Sequence, residues 1–338
     1  MIRMFEGKTI LITGGSGSLG QSLTRKLLEF DVDTIRIFSR NESKQVEMGT
    51  KFDDPRLRYL IGDIRDRDRL SRAIEDVDIV FHTAALKHVP LIEYNPTEAI
   101  MTNVIGTQNL VLECAKHHVE KVVGIGTDKA VSPLNTYGAT KLLMEKLIIT
   151  TARQFSYKKY DTKFFVVRYG NVAASSGSVI PIFINKIRSK KKVTITDPKM
   201  TRFNIRMNEA IDFILSSTEI AVGTEVFIPK LKAYNIMDLK NALAELLGDT
   251  GHEIINARPG EKLHELLLNK YEIHYTKDLN DRYVLLDPQV FEKESLVRPE
   301  VIEKYTNMKK ARFEKEYSSE YVELMTNEDL KLLLSYYL

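Results

Sequence analysis

The chain has 338 residues, 43% hydrophobic and 28% charged, the balance of an ordinary globular protein rather than a disordered one. Its 49 Lys and Arg nearly offset 46 Asp and Glu, and a formal net charge of +3 is too small to point to nucleic acid. A single cysteine, Cys114, excludes an internal disulfide and suits a reducing compartment. No apolar run approaches the roughly 18 residues that cross a bilayer, and the N-terminus lacks a secretory stretch, so a cytoplasmic protein without membrane contact is expected.

In chain order, KTILIT (Lys8–Thr13) reads as a compact apolar strand. Beyond it Leu19, Leu23 and Leu27 recur at four-residue spacing, as one buried helix stripe would. TIRIFS, RLRYLIGD, DIVFHTA and KVVGIGT supply four more strands, with the longest helix candidate between about Asn95 and His118. Cys114 falls on a buried face of that helix. KFFVVRYGN (Lys163–Asn171) is the sixth strand. Such alternation implies right-handed crossovers and a parallel sheet covered on both faces, an α/β doubly wound Rossmann-type fold.

Past Asn171 the rhythm changes. Lys190–Lys192 reads as a solvated helix end, and EVFIPK and HEIINA read as isolated strands of a smaller C-terminal lobe rather than a continuation of the sheet. TNEDLKLLLSYYL is expected to be a final helix with Thr326 as N-cap. The expected organisation is a dinucleotide-binding domain over 1–171, a second lobe over 172–295 with possible return of the chain to the first domain, and a C-terminal extension over 296–338.

TILITGGSGSLG sets Gly14, Gly17 and Gly20 three apart between a strand and a helix, with Ser16, Ser18 and Leu19 in the same turn. Glycines there let the backbone turn sharply and approach a pyrophosphate, while the helix N-terminus offers amide donors. The second strand ends in Ser39 and Arg40, with Lys44 close behind, instead of the acid that would bind a ribose 2′-hydroxyl. NADP is therefore expected over NAD, the alternative being Glu42 on the ribose and Arg40 at the surface. Asp63 and Ile64 after the third strand, and Thr83, Ala84 and Lys87 after the fourth, complete the expected cofactor contacts.

The stretch GTDKAVSPLNTYGATK holds Asp128, Lys129, Tyr137 and Lys141, the last two one helical turn apart. A second Tyr-x-x-x-Lys, Tyr305 and Lys309, lies in the charged tail with no strand before it and reads as a chance match. From about Lys8 to Leu268 the chain resembles the extended branch of the short-chain dehydrogenases/reductases, which acts on nucleotide sugars. That resemblance makes Tyr137 the general base, Lys141 and the nicotinamide the charges that favour its phenolate, and Thr127 a partner for the same sugar hydroxyl. Asp128 and Lys129 exceed what oxidation needs. With LKHVP, GTDKA, NTYGATK, RYGN, SVIP, MTRF and RPGEKLHE the chain is similar to the inverting UDP-N-acetylglucosamine 4,6-dehydratases; the retaining enzymes carry Asp-Glu at the pair.

The resemblance implies that Asp128 is the acid for the C6 hydroxyl and Lys129 the base at C5. It places Lys87, Asn171, Thr194, Arg202, Arg258 and Glu261 near a UDP-N-acetylhexosamine, and implies a homo-oligomer. Burial is expected to push Asp128 and Lys129 both towards neutrality. The histidines lack metal-ligand spacing, and no metal site is expected. A bifunctional dehydratase/5-epimerase, whose tail this one resembles, a UDP-sugar 4-epimerase and a non-catalytic NADP-sensing module are the alternatives. The tail itself could be a lid or a subunit contact.

Overall fold

A computed structural model describes residues 2–154, 159–173, 178–257, 260–290 and 298–338. The expected substrate residue Arg258 lies outside these. The six strands read from the sequence form as β1 (Thr9–Thr13), β2 (Thr34–Ser39), β3 (Leu57–Ile61), β4 (Ile79–His82), β5 (Lys121–Ile125) and β6 (Lys163–Val167). They pair in parallel in the order 6-5-4-1-2-3. Alternate side chains leave opposite faces: Ile10 and Ile12 enter one buried cluster, Leu11 the other. The order reverses between β1 and β4, the place where a doubly wound sheet opens a crevice for ligand.

The shorter strands that follow are β7 (Asn171–Val172), β8 (Val193–Ile195), β9 (Thr201–Ile205), β10 (Glu225–Pro229), β11 (Ala233–Asn235) and β12 (His252–Ile254). Beyond them come β13 (Leu266–Leu268), β14 (Thr276–Asp278), β15 (Arg282–Leu286) and β16 (Tyr317–Ser318). EVFIPK does not belong to a separate lobe. As β10 it lies parallel to β6 in the main sheet, and β15 and β14 then add antiparallel, making nine strands. Every residue of β10 is buried, as a strand covered on both faces requires. HEIINA does stand apart, as β12 beside β8.

A third buried cluster serves the remaining segments. It joins Ile180, Phe183 and Ile184 of the helix Val179–Arg188, Leu239 and Leu243 of Ile236–Leu247, and Leu330, Leu333 and Leu334 of Asn327–Ser335. Thr326 caps the last helix as expected, accepting from the Asp329 amide at 3.1 Å. The tail therefore ends in core packing. Tyr305 of the second Tyr-x-x-x-Lys is buried and donates to Glu225 Oε1 at 3.0 Å, a structural bond. The long helix candidate is interrupted: Pro96–Ala99 and Gly106–Lys116 flank a π-helical stretch, Ile100–Ile105. Cys114 is buried on it.

Candidate active site

The crevice is built from the ends of β1, β2, β3 and β4. Gly14 has φ +70°, and a Cβ there would stand 2.8 Å from the backbone of Ala84, so only glycine lets these two loops meet. Gly17 precedes the helix Ser18–Leu27, which carries Ser18, Leu19 and Gly20 in its first turn and offers its free amides to the crevice. Gly14, Ser16, Gly17, Ser39, Arg40, Lys44, Asp63, Ile64 and Ala84 line a cavity of about 250 Å³. A glycine cradle at a helix N-terminus beside a cationic rim is the donor set that a dinucleotide pyrophosphate needs. Ser16 Oγ donates to Ser39 Oγ at 2.9 Å, tying the loop to the strand end. Thr83 Oγ1 is spent on Thr13 O at 2.7 Å, and Lys87 is exposed beyond it. Thr102, which the sequence reading missed, lines the same cavity with a buried hydroxyl that has no partner among the described residues. Its helical setting carries no local signal of that role.

The reactive stretch follows β5. Thr127, Asp128 and Lys129 leave the strand end, and the Asp128 amide bonds Tyr169 O at 3.1 Å. Asp128 is fully buried. Thr127 Oγ1 donates to Asp128 Oδ1 at 2.9 Å, and Lys129 Nζ reaches the same oxygen at 3.1 Å. Lys129 also donates to Asn171 Oδ1 at 2.9 Å and stands 3.5 Å from Glu265 Oε1. The stretch 260–265 is docked on this loop: Asn135 Nδ2 donates to Gly260 O at 3.0 Å and Lys262 Nζ to Val131 O. Gly260, at φ +74°, would otherwise press a Cβ to 2.8 Å from Leu134 O.

The charges differ from expectation. Burial raises Asp128 above the usual carboxylate range, with Lys129 opposing and Glu265 reinforcing, as a proton donor needs. Lys129 is not neutralised. Burial works against its charge, but Asp128 and Glu265 outweigh it and hold the ammonium above its ordinary value. Burial also raises Tyr137, and among its neighbours Lys129 and the Thr127 hydroxyl favour the phenolate. Lys141 is buried, donates to Ile125 O at 2.5 Å and to Met144 Sδ at 2.9 Å, and is lowered to about 8 by desolvation, with Glu145 opposing.

Among the expected substrate residues, Arg202 reaches this cluster, 3.7 Å from Glu261 and 3.8 Å from Glu265, while donating to Thr201 O and Leu263 O. Thr194 instead accepts from Lys186 at 3.0 Å on the two-stranded sheet. Glu265, buried between Lys129 and Arg202, was not singled out from the sequence. Its only signal was membership of RPGEKLHE.

The family model of polysaccharide biosynthesis proteins matches residues 10–287. The chain belongs to that family. Similar within it is the Campylobacter jejuni UDP-N-acetylglucosamine 4,6-dehydratase (inverting), 46% identical over 284 residues, 83% of this chain and 84% of that one. A Rickettsia canadensis UDP-glucose 4-epimerase is 43% identical over 285 residues, 83% of each chain. Among solved structures, Pen from Bacillus thuringiensis superposes with a TM-score of 0.88 at 36% identity, over 99% of this chain and 100% of that one. This member of the polysaccharide biosynthesis protein family thus has relatives named for lyase and for epimerase chemistry at nearly equal identity, and its own residues must separate the two. No helix of its described residues is long and apolar enough to cross a membrane.

Proposed function

We propose that the protein carries out inverting 4,6-dehydration of UDP-N-acetylglucosamine, and the contact of the buried Asp128 with Lys129 carries this reading. A 4-epimerase needs Thr127, Tyr137 and Lys141 alone. A buried carboxyl group bonded to an amine, both beside the phenol, is an additional acid and base. A bound nicotinamide dinucleotide would hold the hydride taken from C4 of the sugar and supply it again at C6 once water has left. Tyr137 takes the proton of the C4 hydroxyl as the ketone forms. The ketone acidifies the C5 hydrogen, which Lys129 removes as a proton while Asp128 protonates the departing C6 hydroxyl, releasing one water. Return of a proton to the opposite face of C5 inverts that centre.

The ion pair supplies both catalytic states from a single rearrangement. Moving one proton across the 3.1 Å contact from Lys129 to Asp128 converts ammonium and carboxylate into amine and acid. Incubation with UDP-N-acetylglucosamine should yield a product lighter by one water, with ring couplings of a 4-keto-6-deoxy-L-hexosamine in NMR. A product of unchanged mass would favour the epimerase.

NADP is the cofactor this reading takes. Asp63 is already bound by Arg65 at 2.7 Å, so the half-exposed Arg40, 3.6 Å from it, is left for a 2′-phosphate, with Lys44 on the same rim. NADP should bind more tightly than NAD, and Arg40→Gln should weaken NADP by about tenfold while sparing NAD. Titration calorimetry of both cofactors checks this; equal losses would assign the 2′ position elsewhere.

A further inference from the structure

Two carboxylate oxygens of the site, Asp128 Oδ2 and Glu265 Oε2, are buried and have no hydrogen-bond partner among the described residues. An unpaired buried carboxylate oxygen is costly, so its retention asks for a reason. For Asp128 the proton it passes to the sugar is one. Glu265 has no part in the proposed steps, yet it is 4% exposed and its other oxygen lies 3.5 Å from the Lys129 amine.

The tail holds it there. The Glu265 amide donates to Ser319 Oγ at 2.9 Å, and the Ser319 amide returns a bond to Glu265 O at 2.9 Å. Ser319 Oγ also bonds Thr201 Oγ1 at 2.8 Å and Thr201 O at 3.2 Å, beside Arg202. β16 extends the clamp by pairing with β13. One fully buried serine of the C-terminal extension thus fixes the backbones that present both Glu265 and Arg202 to Lys129.

We propose that Glu265, clamped by Ser319, is a positioning residue that sets the protonation of Lys129 and so the pH at which this lysine becomes a base. The proposal rests on the dehydratase reading for its consequence, though not for its geometry. The groups facing Lys129 are Asp128 from its own turn, Glu265 from the segment before β13, and Arg202 from β9. Tyr137 from the helix Thr136–Gln154, Tyr234 from β11 and Lys262 complete the set, with neutral Asn171 from β7 accepting a hydrogen bond from Lys129. Asp128 and Glu265 are the two carboxylates and Arg202 and Lys262 the opposing cations, so removing Glu265 tips the balance against the ammonium.

An opposite charge at this range moves a pKa by roughly 1–3. Arg202 offsets part of that, so Glu265→Gln should lower the Lys129 titration by about one pH unit. The test is NMR titration of protein whose lysines carry ¹³C-methyl groups, Lys129 being assigned by its loss in Lys129→Arg. In the unaltered protein the Lys129 signal should stay at the ammonium position into the alkaline range. In Glu265→Gln it should titrate earlier, and Glu265→Asp should restore the later titration in part. The alkaline limb of kcat/KM for dehydration, where the pair loses the proton it shares, should move to lower pH by the same amount. A Lys129 titration unchanged in Glu265→Gln overturns the proposal. Absence of dehydration by the unaltered protein would instead overturn the dehydratase reading and leave the titration to judge Glu265.

Discussion

Lys129→Ala should lower dehydration of UDP-N-acetylglucosamine by about 10²–10⁴-fold, the range a positioned acid or base contributes, and abolish solvent-deuterium incorporation at C5. The effect should lie in chemistry rather than folding. Lys129 is a quarter exposed, and once it is removed the buried Asp128, already raised by burial, keeps the Thr127 hydroxyl and can take up a proton rather than remain an uncompensated charge. Removing the lysine also withdraws the cation that favours the Tyr137 phenolate, so C4 oxidation should slow as well, to a smaller extent.

Asp128→Asn gives the complementary outcome. The C5 proton is still removable, but the C6 hydroxyl loses its acid, so water loss should fall further than C5 exchange. Mass spectrometry in deuterated water reads both quantities from one sample. Full turnover with C5 exchange in Lys129→Ala would place the base on another residue.

The half of the molecule that carries the glycine-lined crevice is legible because its signals are local. β-branched runs between helical stripes, and glycines at a strand-to-helix turn, each depend on residues a few positions apart. The return of the chain to the sheet was not legible. EVFIPK is apolar on both faces, which says that it is covered but not by what, and its partner β6 is paired about sixty residues away. The candidate catalytic stretch could be located from GTDKA and NTYGATK, but its charge state could not. Whether Lys129 is an amine or an ammonium depends on Glu265 and Arg202 as well as on the adjacent Asp128, and the first two arrive from separate segments. Burial alone predicted neutrality, and Asp128 together with Glu265 reversed it.

Arg168→Met should destabilise the fold by about 3–5 kcal/mol, the cost of leaving a buried ion pair half complete. Arg168 is 2% exposed and follows β6 directly. Its guanidinium bonds Glu145 at 2.7 Å, Glu272 at 2.9 Å and Leu267 O at 3.0 Å, so one cation joins the helix Thr136–Gln154 to the segment after β13. Despite burial, the two carboxylates hold it charged. Glu272 is partly exposed and can be rehydrated, whereas Glu145, 2% exposed, cannot. The main cost is therefore the orphaned Glu145 carboxylate, and it reaches the active site, since Glu145 opposes the lowering of Lys141 and raises Tyr137. Chemical denaturation should show the loss as a lower midpoint. Arg168→Met with Glu145→Gln removes both halves of the closest pair and should recover a substantial part of it. A double variant no more stable than Arg168→Met would mean that lost packing, rather than an uncompensated charge, is what the arginine prevents.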